Sequence, residues 1–303
     1  MFKENFMNNV DLHIHSIYSD DGQYLPKELI KRAKERKIAL MSITDHDRAM
    51  ANTEAISLAK EYDISYLTGI EVSCQYQNTD LHVLGYGIDH TNPLWEKRYR
   101  AVMSDYNSLF YEIVDKLNAY LGVEINAQAL IDQTGDKMVN GETICHFLLS
   151  DPKNKENPLL RPYFDGGERS DMPLVHFYWD LMAQGRPAYV PLNNITPLSE
   201  AIKMISSTGG FAVLAHPGQN LAGKEDLLEG IIKEGVKGIE VYTTYHDEVQ
   251  IAYYKEKALE LGCLITGGSD FHGDIKPSIE IGEHHGQLIS DDFLKELVDR
   301  KLI

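Results

Sequence analysis

Nine side chains that could bind metal ions recur in short segments along this chain of 303 residues. All nine are imidazoles or carboxylates, the ligand types that suit Zn, Mn or Fe(II). The nine are His13, His15, Asp20, His46, Glu71, His82, His216, Asp270 and His272. Long stretches separate the segments, so the fold must bring them together before they can act. If it does, the set predicts a metal-dependent hydrolase.

The two outermost segments carry the clearest spacing. His13 and His15 lie two residues apart, as do Asp270 and His272. In an extended strand, residues i and i+2 point to the same face, so both members of a pair can reach one cavity. Each motif alone also fits an ordinary strand or turn, but that explanation requires every segment to carry a ligand type by accident.

Composition narrows the class of protein further. The three cysteines are odd in number and form no CxxC pattern, so neither a disulfide framework nor a thiolate zinc site is indicated, and a reducing cytoplasm is the predicted location. The N-terminal residues 1–9 lack the apolar core of a signal peptide, and no segment approaches the roughly 18 apolar residues of a membrane span. The net charge of −17 disfavours binding to long nucleic acids.

Apolar runs alternate with helix-like segments in the parts of the chain that carry the ligands. A predicted helix at 26–37 precedes a predicted strand at 38–43, and similar alternation returns after residue 190. This pattern predicts βα units with parallel strands. About seven strands can be counted, with the ligands at or just after their C-terminal ends, where the active sites of βα barrels lie. We therefore predict an α/β barrel.

The alternation breaks between residues 93 and 189. Long helix-like runs occupy this stretch, together with a linker rich in proline and glycine at 151–173. We predict an inserted helical cap domain at 93–189 that covers the site, with the barrel formed by residues 1–92 and 190–303.

The motifs that carry the ligands resemble those of the PHP (polymerase and histidinol phosphatase) family. The resemblance rests on DLHIHS at 11–16, SDDG at 19–22, ITDHD at 43–47, GIEVS at 69–73, HVLGYGID at 82–89, AHPG at 215–218 and GSDFH at 268–272. The helical insertion resembles the branch of nucleoside 3′,5′-bisphosphate phosphatases and nucleotide monophosphatases. This resemblance implies a distorted (β/α)7 barrel with three divalent metal ions, Mn, Zn or Fe.

The resemblance also implies how the ligands divide among the three ions. The first ion would be held by His13, His15, Glu71 and Asp270, the second by Glu71, His82 and His216, and the third by Asp20, His46 and His272. Glu71 would bridge. Asp21 lies next to Asp20, and either carboxylate could be the ligand.

The reaction implied is the hydrolysis of a small phosphomonoester by a metal-activated hydroxide that attacks phosphorus. The leading substrate is a nucleotide, either an AMP-like monophosphate or a nucleoside 3′,5′-bisphosphate. His246 follows a predicted strand and is the candidate general acid for the leaving alkoxide, unless it is an exposed loop histidine. Arg186 is the candidate phosphate ligand, because the cap helix near residues 140–147 lacks the arginines usual in the bisphosphatase branch.

Other functions fit the same residues. A histidinol-phosphate phosphatase or a 5′-3′ exonuclease acting on short oligonucleotides could use the same centre, and a non-catalytic metal-binding domain is a third possibility. Asp11 and Asp45 are expected to orient neighbouring imidazoles rather than to bind metal. The sequence leaves the oligomeric state open.

Overall fold

The computed structural model describes residues 9–135, 137–191, 193–284 and 289–303. The chain divides into two compact units. The first, which we call the ligand-bearing unit, comprises Met1–Arg98, Thr196–His272 and Ile279–Ile303. The second, the helical unit, comprises Tyr99–Ile195 and Gly273–Ser278. The domain boundaries expected from the sequence, after residues 92 and 189, fall a few residues before these bounds.

In the parts of the chain that the structure describes, all strands belong to the ligand-bearing unit. They are β1 (Val10–Asp11), β2 (Leu40–Met41), β3 (Ser65–Tyr66), β4 (Gly69–Tyr76), β5 (Thr79–Tyr86), β6 (Phe211–Leu214), β7 (Gly238–Thr243) and β8 (Leu264–Gly268). Strands β1 to β3 form a parallel sheet, and β4 to β8 form a second sheet in chain order. Within the second sheet β5 pairs antiparallel with both neighbours, whereas β6, β7 and β8 are parallel. The fold is therefore mixed α/β.

The antiparallel part begins with a tight hairpin between β4 and β5. Its two turn residues, Gln77 and Asn78, have φ angles of 48° and 61°. Positive φ at both central positions is the geometry of a type I′ turn, whose twist matches that of paired strands. This hairpin is the reason why the fold departs from purely parallel βα units.

Two sets of hydrogen bonds join the sheets. Leu12 donates its backbone N–H to Gly267 O at 3.2 Å, and Glu71 donates to Asp45 O at 3.1 Å. Among the described residues, these hydrogen bonds link the two sheets but do not join all the strands into one continuous sheet. A closed seven-stranded barrel is therefore not established.

Helices cover the sheets of the ligand-bearing unit. They are α1 (Pro26–Glu35), α2 (Ala51–Glu61), α7 (Leu198–Ser207), α8 (Pro217–Asn220), α9 (Leu228–Lys233), α10 (Glu248–Glu260) and α11 (Asp291–Asp299). Helix α1 shows why such segments fold and dock: Pro26 occupies its first turn, and Leu29, Ile30 and Ala33 form one buried face. These side chains pack with Ile14 and Phe271, the apolar residues inside the two outer ligand pairs.

The helical unit has a separate apolar core. Its helices are α3 (Pro93–Leu121), which starts within the first unit, α4 (Ala127–Thr134), α5 (Gly141–Ser150) and α6 (Pro173–Phe177), followed by a π-helical turn at Tyr178–Met182. Phe110, Leu117, Ile144 and Phe177 are fully buried within it. No helix in the described parts of the chain is both long and apolar enough to span a bilayer.

Candidate metal centre

Eight of the nine predicted ligands come together in the ligand-bearing unit, with Asp21 in place of Asp20. We call these nine residues the ligand group: His13, His15, Asp21, His46, Glu71, His82, His216, Asp270 and His272. Seven of them follow the end of a strand, whereas Glu71 lies inside β4 and His82 inside β5, so the expected placement of every ligand at or after a strand's C-terminal end does not hold for these two. Ile14 and Phe271 pair across the sheet junction and turn away into the core, as the two-residue spacing predicts.

Four donor atoms form the tightest part of the ligand group. His13 Nε2 lies 3.1 Å from His15 Nε2 and from Glu71 Oε2, and 3.2 Å from Asp270 Oδ1. His15 Nε2 lies 3.1 Å from each of the two carboxylate oxygens. Ligands about 2.0–2.2 Å from a zinc ion stand roughly 3 Å from one another. The spacing of these four atoms therefore fits one divalent ion.

The second oxygen of Glu71 faces a different set of imidazoles. Glu71 Oε1 lies 3.0 Å from His216 Nε2 and 3.1 Å from His82 Nδ1. On its other side, Glu71 Oε2 lies 3.3 Å from His46 Nδ1. The Nδ1 atoms of His46 and His82 are buried and have no hydrogen-bond partner. A buried imidazole nitrogen that lies beside a carboxylate but makes no hydrogen bond can use its lone pair to bind a metal ion.

The third set is organised around Asp21. Its Oδ2 lies 3.1 Å from His272 Nε2 and 3.4 Å from His46 Nε2. Ser19 donates its hydroxyl to Asp21 Oδ1 at 2.6 Å. Gly22 lies so close to the backbone of Ser16 that a Cβ would come within 1.9 Å of its carbonyl oxygen. The turn thus places Asp21, one of the two carboxylates that the sequence left open, beside His46 and His272.

Charges within the ligand group hold one another in their ionised forms. Burial opposes charge on His13, but Glu71 and Glu240 outweigh it and raise its pKa well above the usual value. Burial is likewise overcome at His46, where Glu71 and Asp21 raise the pKa to about 10. The neighbouring imidazoles lower the pKa of Glu71 well below its usual value despite its burial. The site thus favours positive charge, which protons or metal ions can supply.

Four imidazoles of the ligand group have a partner on the nitrogen that faces away from the other ligands. The pairs are His13 Nδ1 with Glu240 Oε1 at 3.0 Å, His15 Nδ1 with Ser19 Oγ at 3.3 Å, His216 Nδ1 with Asn220 Oδ1 at 2.7 Å, and His272 Nδ1 with Asp270 O at 2.7 Å. Such partners orient metal-binding imidazoles. Sequence reasoning missed Glu240 and Asn220. A glutamate inside the otherwise apolar strand β7 was the signal available for Glu240.

Asp11 and Asp45 play a different part from the one predicted. Asp11 accepts hydrogen bonds from the N–H and hydroxyl of Ser269 at 2.9 and 2.6 Å, and from the N–H of Gly282 at 2.7 Å. Asp45 accepts from the N–H and hydroxyl of Ser16 at 2.6 and 2.7 Å. Both carboxylates therefore hold backbone beside the ligands instead of the imidazole rings.

His246 is buried, with 1% of its surface exposed, and both ring nitrogens bond to backbone. Its Nδ1–H donates to Val241 O at 2.8 Å, and its Nε2 accepts from the N–H of Gly218 at 2.9 Å. The ring stacks on Tyr254, and burial lowers its pKa. His246 is therefore not an exposed loop histidine but a link between β7 and the turn after β6. Its role as the general acid stays a prediction.

Arg186 lies in the helical unit. Its backbone N–H donates to Ala183 O at 3.0 Å, and the residue is exposed. Arg169, another arginine of this unit, forms an ion pair with Asp180 at 3.1 Å. The role of Arg186 in substrate binding therefore stays a prediction.

The fold and the ligand group together define a metal-dependent hydrolase. A family model described as the PHP domain matches residues 11–252, and the chain belongs to this family. It is 30% identical over 285 residues, 91% of each chain, to a 3′,5′-nucleoside bisphosphate phosphatase from Chromobacterium violaceum.

Two further similarities extend over most of the chain. The chain is 29% identical over 293 residues to the 5′-3′ exoribonuclease Rnm of Escherichia coli, covering 93% of this chain and 91% of the other. It also resembles the solved structure of an amidohydrolase from Chromobacterium violaceum with bound sulfate and no metal, with a TM-score of 0.77, 25% identity and 96% of each chain covered. Family membership and the ligand group make this protein a metal-dependent phosphoesterase.

Proposed function

We propose that the chain hydrolyses the phosphomonoester of a small nucleotide at a centre of three divalent ions. The observation that carries the proposal is the shared use of Glu71, whose two oxygens face separate sets of imidazoles. A fully buried carboxylate of this kind is costly unless positive charge surrounds it. A group of metal ions supplies that charge, together with the chemistry of ester hydrolysis.

The ligand group divides naturally into three sets. The first is His13, His15, Glu71 and Asp270, the second Glu71, His82 and His216, and the third Asp21, His46 and His272, with His46 also beside Glu71. When bound, divalent ions at such a site lower the pKa of water and neutralise phosphoryl oxygens. We take the surrounding strands to form a distorted seven-stranded barrel, supported by the hydrogen bonds that join the two sheets.

Tyr245 positions one carboxylate of the ligand group and shields one of its imidazoles. Tyr245 donates its hydroxyl to Asp270 Oδ2 at 2.5 Å, which leaves Oδ1 directed at His13 and His15. The tyrosine ring also stands edge-on against His216. Tyr245 thereby fixes one carboxylate rotamer and covers one side of the ligand group with an aromatic surface.

The substrate proposal rests on relatives and on charge. The Chromobacterium relative acts, by its name, on a 3′,5′-nucleoside bisphosphate. In this chain helix α5 carries no arginine, and Arg186 is exposed in the same unit. We therefore propose a nucleotide with a small anionic group, AMP-like or a 3′,5′-bisphosphate, with Arg186 as a phosphate ligand. A net charge of −17 opposes long nucleic acids.

A second candidate is a 5′-3′ exoribonuclease that acts on short oligonucleotides. It is favoured by the similarity to the Escherichia coli exoribonuclease, which matches the chain over a length comparable to that of the bisphosphate phosphatase. Both activities place a phosphate ester at the same metals. The two activities can be distinguished by the length of the substrate that the protein accepts.

The test is phosphate or nucleotide release by metal-free protein reconstituted with Mn²⁺. The substrates are AMP, adenosine 3′,5′-bisphosphate, histidinol phosphate and a short RNA with a 5′-phosphate. His13→Ala should abolish release, whereas His90→Ala, a histidine of the same unit outside the ligand group, should not. Release from mononucleotides supports the phosphatase, and release from the RNA alone supports the exoribonuclease. Full metal loading with no release from any compound would contradict both.

A further inference from the structure

Glu240 is a carboxylate with no exposed surface, in the middle of strand β7. Its Oε1 lies 3.0 Å from His13 Nδ1. Its Oε2 accepts the backbone N–H of His216 at 2.8 Å. One buried side chain thus contacts two members of the ligand group, which arrive from β1 and from β6.

We propose that Glu240 is a positioning residue that fixes His13 and His216 as metal ligands. The inference rests on the proposed metal centre and adds a residue outside the nine members of the ligand group. Glu240 contacts neither His13 Nε2 nor His216 Nε2, the ring nitrogens that face the other ligands. It acts through the ring of one histidine and through the backbone of another.

At His13 the contact selects the tautomer. An ionised carboxylate can only accept hydrogen bonds, so the one ring proton that His13 keeps after a metal ion has displaced the other must be on Nδ1. The lone pair of Nε2 is then left for the side where His15 Nε2 and Glu71 Oε2 lie 3.1 Å away. The opposite tautomer would place a proton between these atoms and block an ion from them. Glu240 therefore decides whether His13 can be a ligand.

At His216 the contact holds an unusual backbone. This residue has φ 24° and ψ 58°, in a region that residues other than glycine rarely adopt. Its N–H bond to Glu240 Oε2 helps to hold this conformation, which costs energy in a free chain. The conformation turns the ring so that Nε2 lies 3.0 Å from Glu71 Oε1. The rings of His13 and His216 stack with their centroids 5.5 Å apart.

An isosteric amide cannot replace Glu240. Both of its partners are donors, His13 Nδ1–H and the His216 N–H, so two acceptor atoms are required. Glutamine offers one acceptor and one NH₂ group. Glu240→Gln must therefore lose one hydrogen bond, or force His13 into the tautomer that cannot bind metal. Glu240→Asp keeps two acceptors but shortens their reach by one methylene.

The experiment measures metal binding and histidine tautomers in Glu240→Gln, Glu240→Asp and Glu234→Gln, the last removing an exposed carboxylate from the same unit. Folding of the metal-free proteins is checked first by circular dichroism. Titration with Zn²⁺ gives the number and affinity of bound ions, and ¹⁵N spectra of histidine-labelled protein report the Nδ1–H of His13. Activity against Mn²⁺ concentration separates the metal requirement from kcat.

We expect Glu240→Gln to weaken the tightest metal binding about 10–100-fold. The His13 Nδ1–H signal should disappear, and excess metal should recover much of kcat. Glu240→Asp should lose less affinity and keep the signal, while Glu234→Gln should match the wild type. If Glu240→Gln does not fold, Glu240→Asp decides, and wild-type affinity in that variant overturns the proposal.

The inference is also overturned if folded Glu240→Gln binds the same ions with unchanged affinity. The proposed function fails separately, because the wild-type protein itself would then bind no ions or release no phosphate. If the wild type binds ions and releases phosphate while Glu240→Gln binds ions with the same affinity, only the positioning role of Glu240 is disproved.

Discussion

The two units of this protein bury different kinds of side chain. Among the described residues, the polar and charged side chains that are buried lie in the ligand-bearing unit, and they include Asp11, Asp45 and Glu240 besides most of the ligand group. The helical unit is closed by an apolar core around Leu117 and Phe177. Buried charge destabilises a fold unless it is paired or binds an ion, whereas apolar burial stabilises it directly. The ligand-bearing unit is therefore destabilised by the charged groups that it buries, whereas the helical unit is stabilised by its apolar core.

The largest effect should follow from Glu71→Gln. This change removes the charge shared by the sets of imidazoles on both sides of the carboxylate. Activity should fall about 1,000-fold or more, equivalent to about 4 kcal/mol. Metal analysis should show fewer bound ions, while the unfolding of the helical unit should not change. Glu234→Gln is the matched control, and a variant with wild-type metal content would contradict the role given to Glu71.

Leu117→Ala should have the opposite profile. Leu117 has no exposed surface in the core of the helical unit, so its truncation leaves a cavity. The free energy of unfolding should fall by about 2–5 kcal/mol. Denaturant unfolding measures this loss, and Leu159→Ala, at an exposed leucine of the same unit, should have little effect. Zn²⁺ affinity should stay at the wild-type value. If Leu117→Ala lowered both the free energy of unfolding and the Zn²⁺ affinity, the difference inferred between the two units would be wrong.

Metal affinity should fall as the pH falls. With no cation bound, Glu71 and Asp21 raise the pKa of His46 to about 10 against the effect of burial, so the ring is protonated near neutral pH. A metal ion must displace that proton. Each proton released should cost about tenfold in apparent affinity per pH unit. Calorimetry in buffers of different ionisation enthalpy counts these protons, and an affinity independent of pH would contradict the protonated metal-free state.

The stability of the metal-free protein should show the reverse dependence on pH. A raised folded-state pKa stabilises the fold fully below the usual histidine value of about 6.5. At His46 this contribution is lost as the pH rises through about 10. The metal-loaded protein should instead gain stability over the same rise, because metal competes better as protons leave. Thermal unfolding with and without a chelator should therefore give curves that diverge with pH.

The same contrast explains what could be predicted from the sequence. Few residue types can bind metal, so His13, His15 and Asp270 were recognisable from type and spacing alone. The sequence left the choice between Asp20 and Asp21 open, because the direction of each side chain depends on the conformation of the turn, which no local pattern reveals. The helices of the helical unit follow from their apolar runs and from caps such as Asn140.

Residues that act through others were the hardest to find. Glu240 stands in the same four-letter context, GIEV, as Glu71, yet it contacts His13 from the side away from the other ligands. Its role depends on where β7 lies beside β6, a long-range feature. The antiparallel pairing of β5 with β6 is likewise a long-range feature, whereas counting βα units predicts parallel strands.

The smallest effect, and the finest test of the contrast, concerns His246. His246→Asn can keep a donor for Val241 O but loses the acceptor for the N–H of Gly218. One neutral hydrogen bond contributes about 0.5–1.5 kcal/mol, so kcat/KM should fall by about tenfold or less. If His246 only positions a turn, both limbs of the pH–rate profile should keep their midpoints. His90→Asn serves as the control. Loss of the alkaline limb in His246→Asn alone would support the general-acid role and place His246 among the catalytic residues.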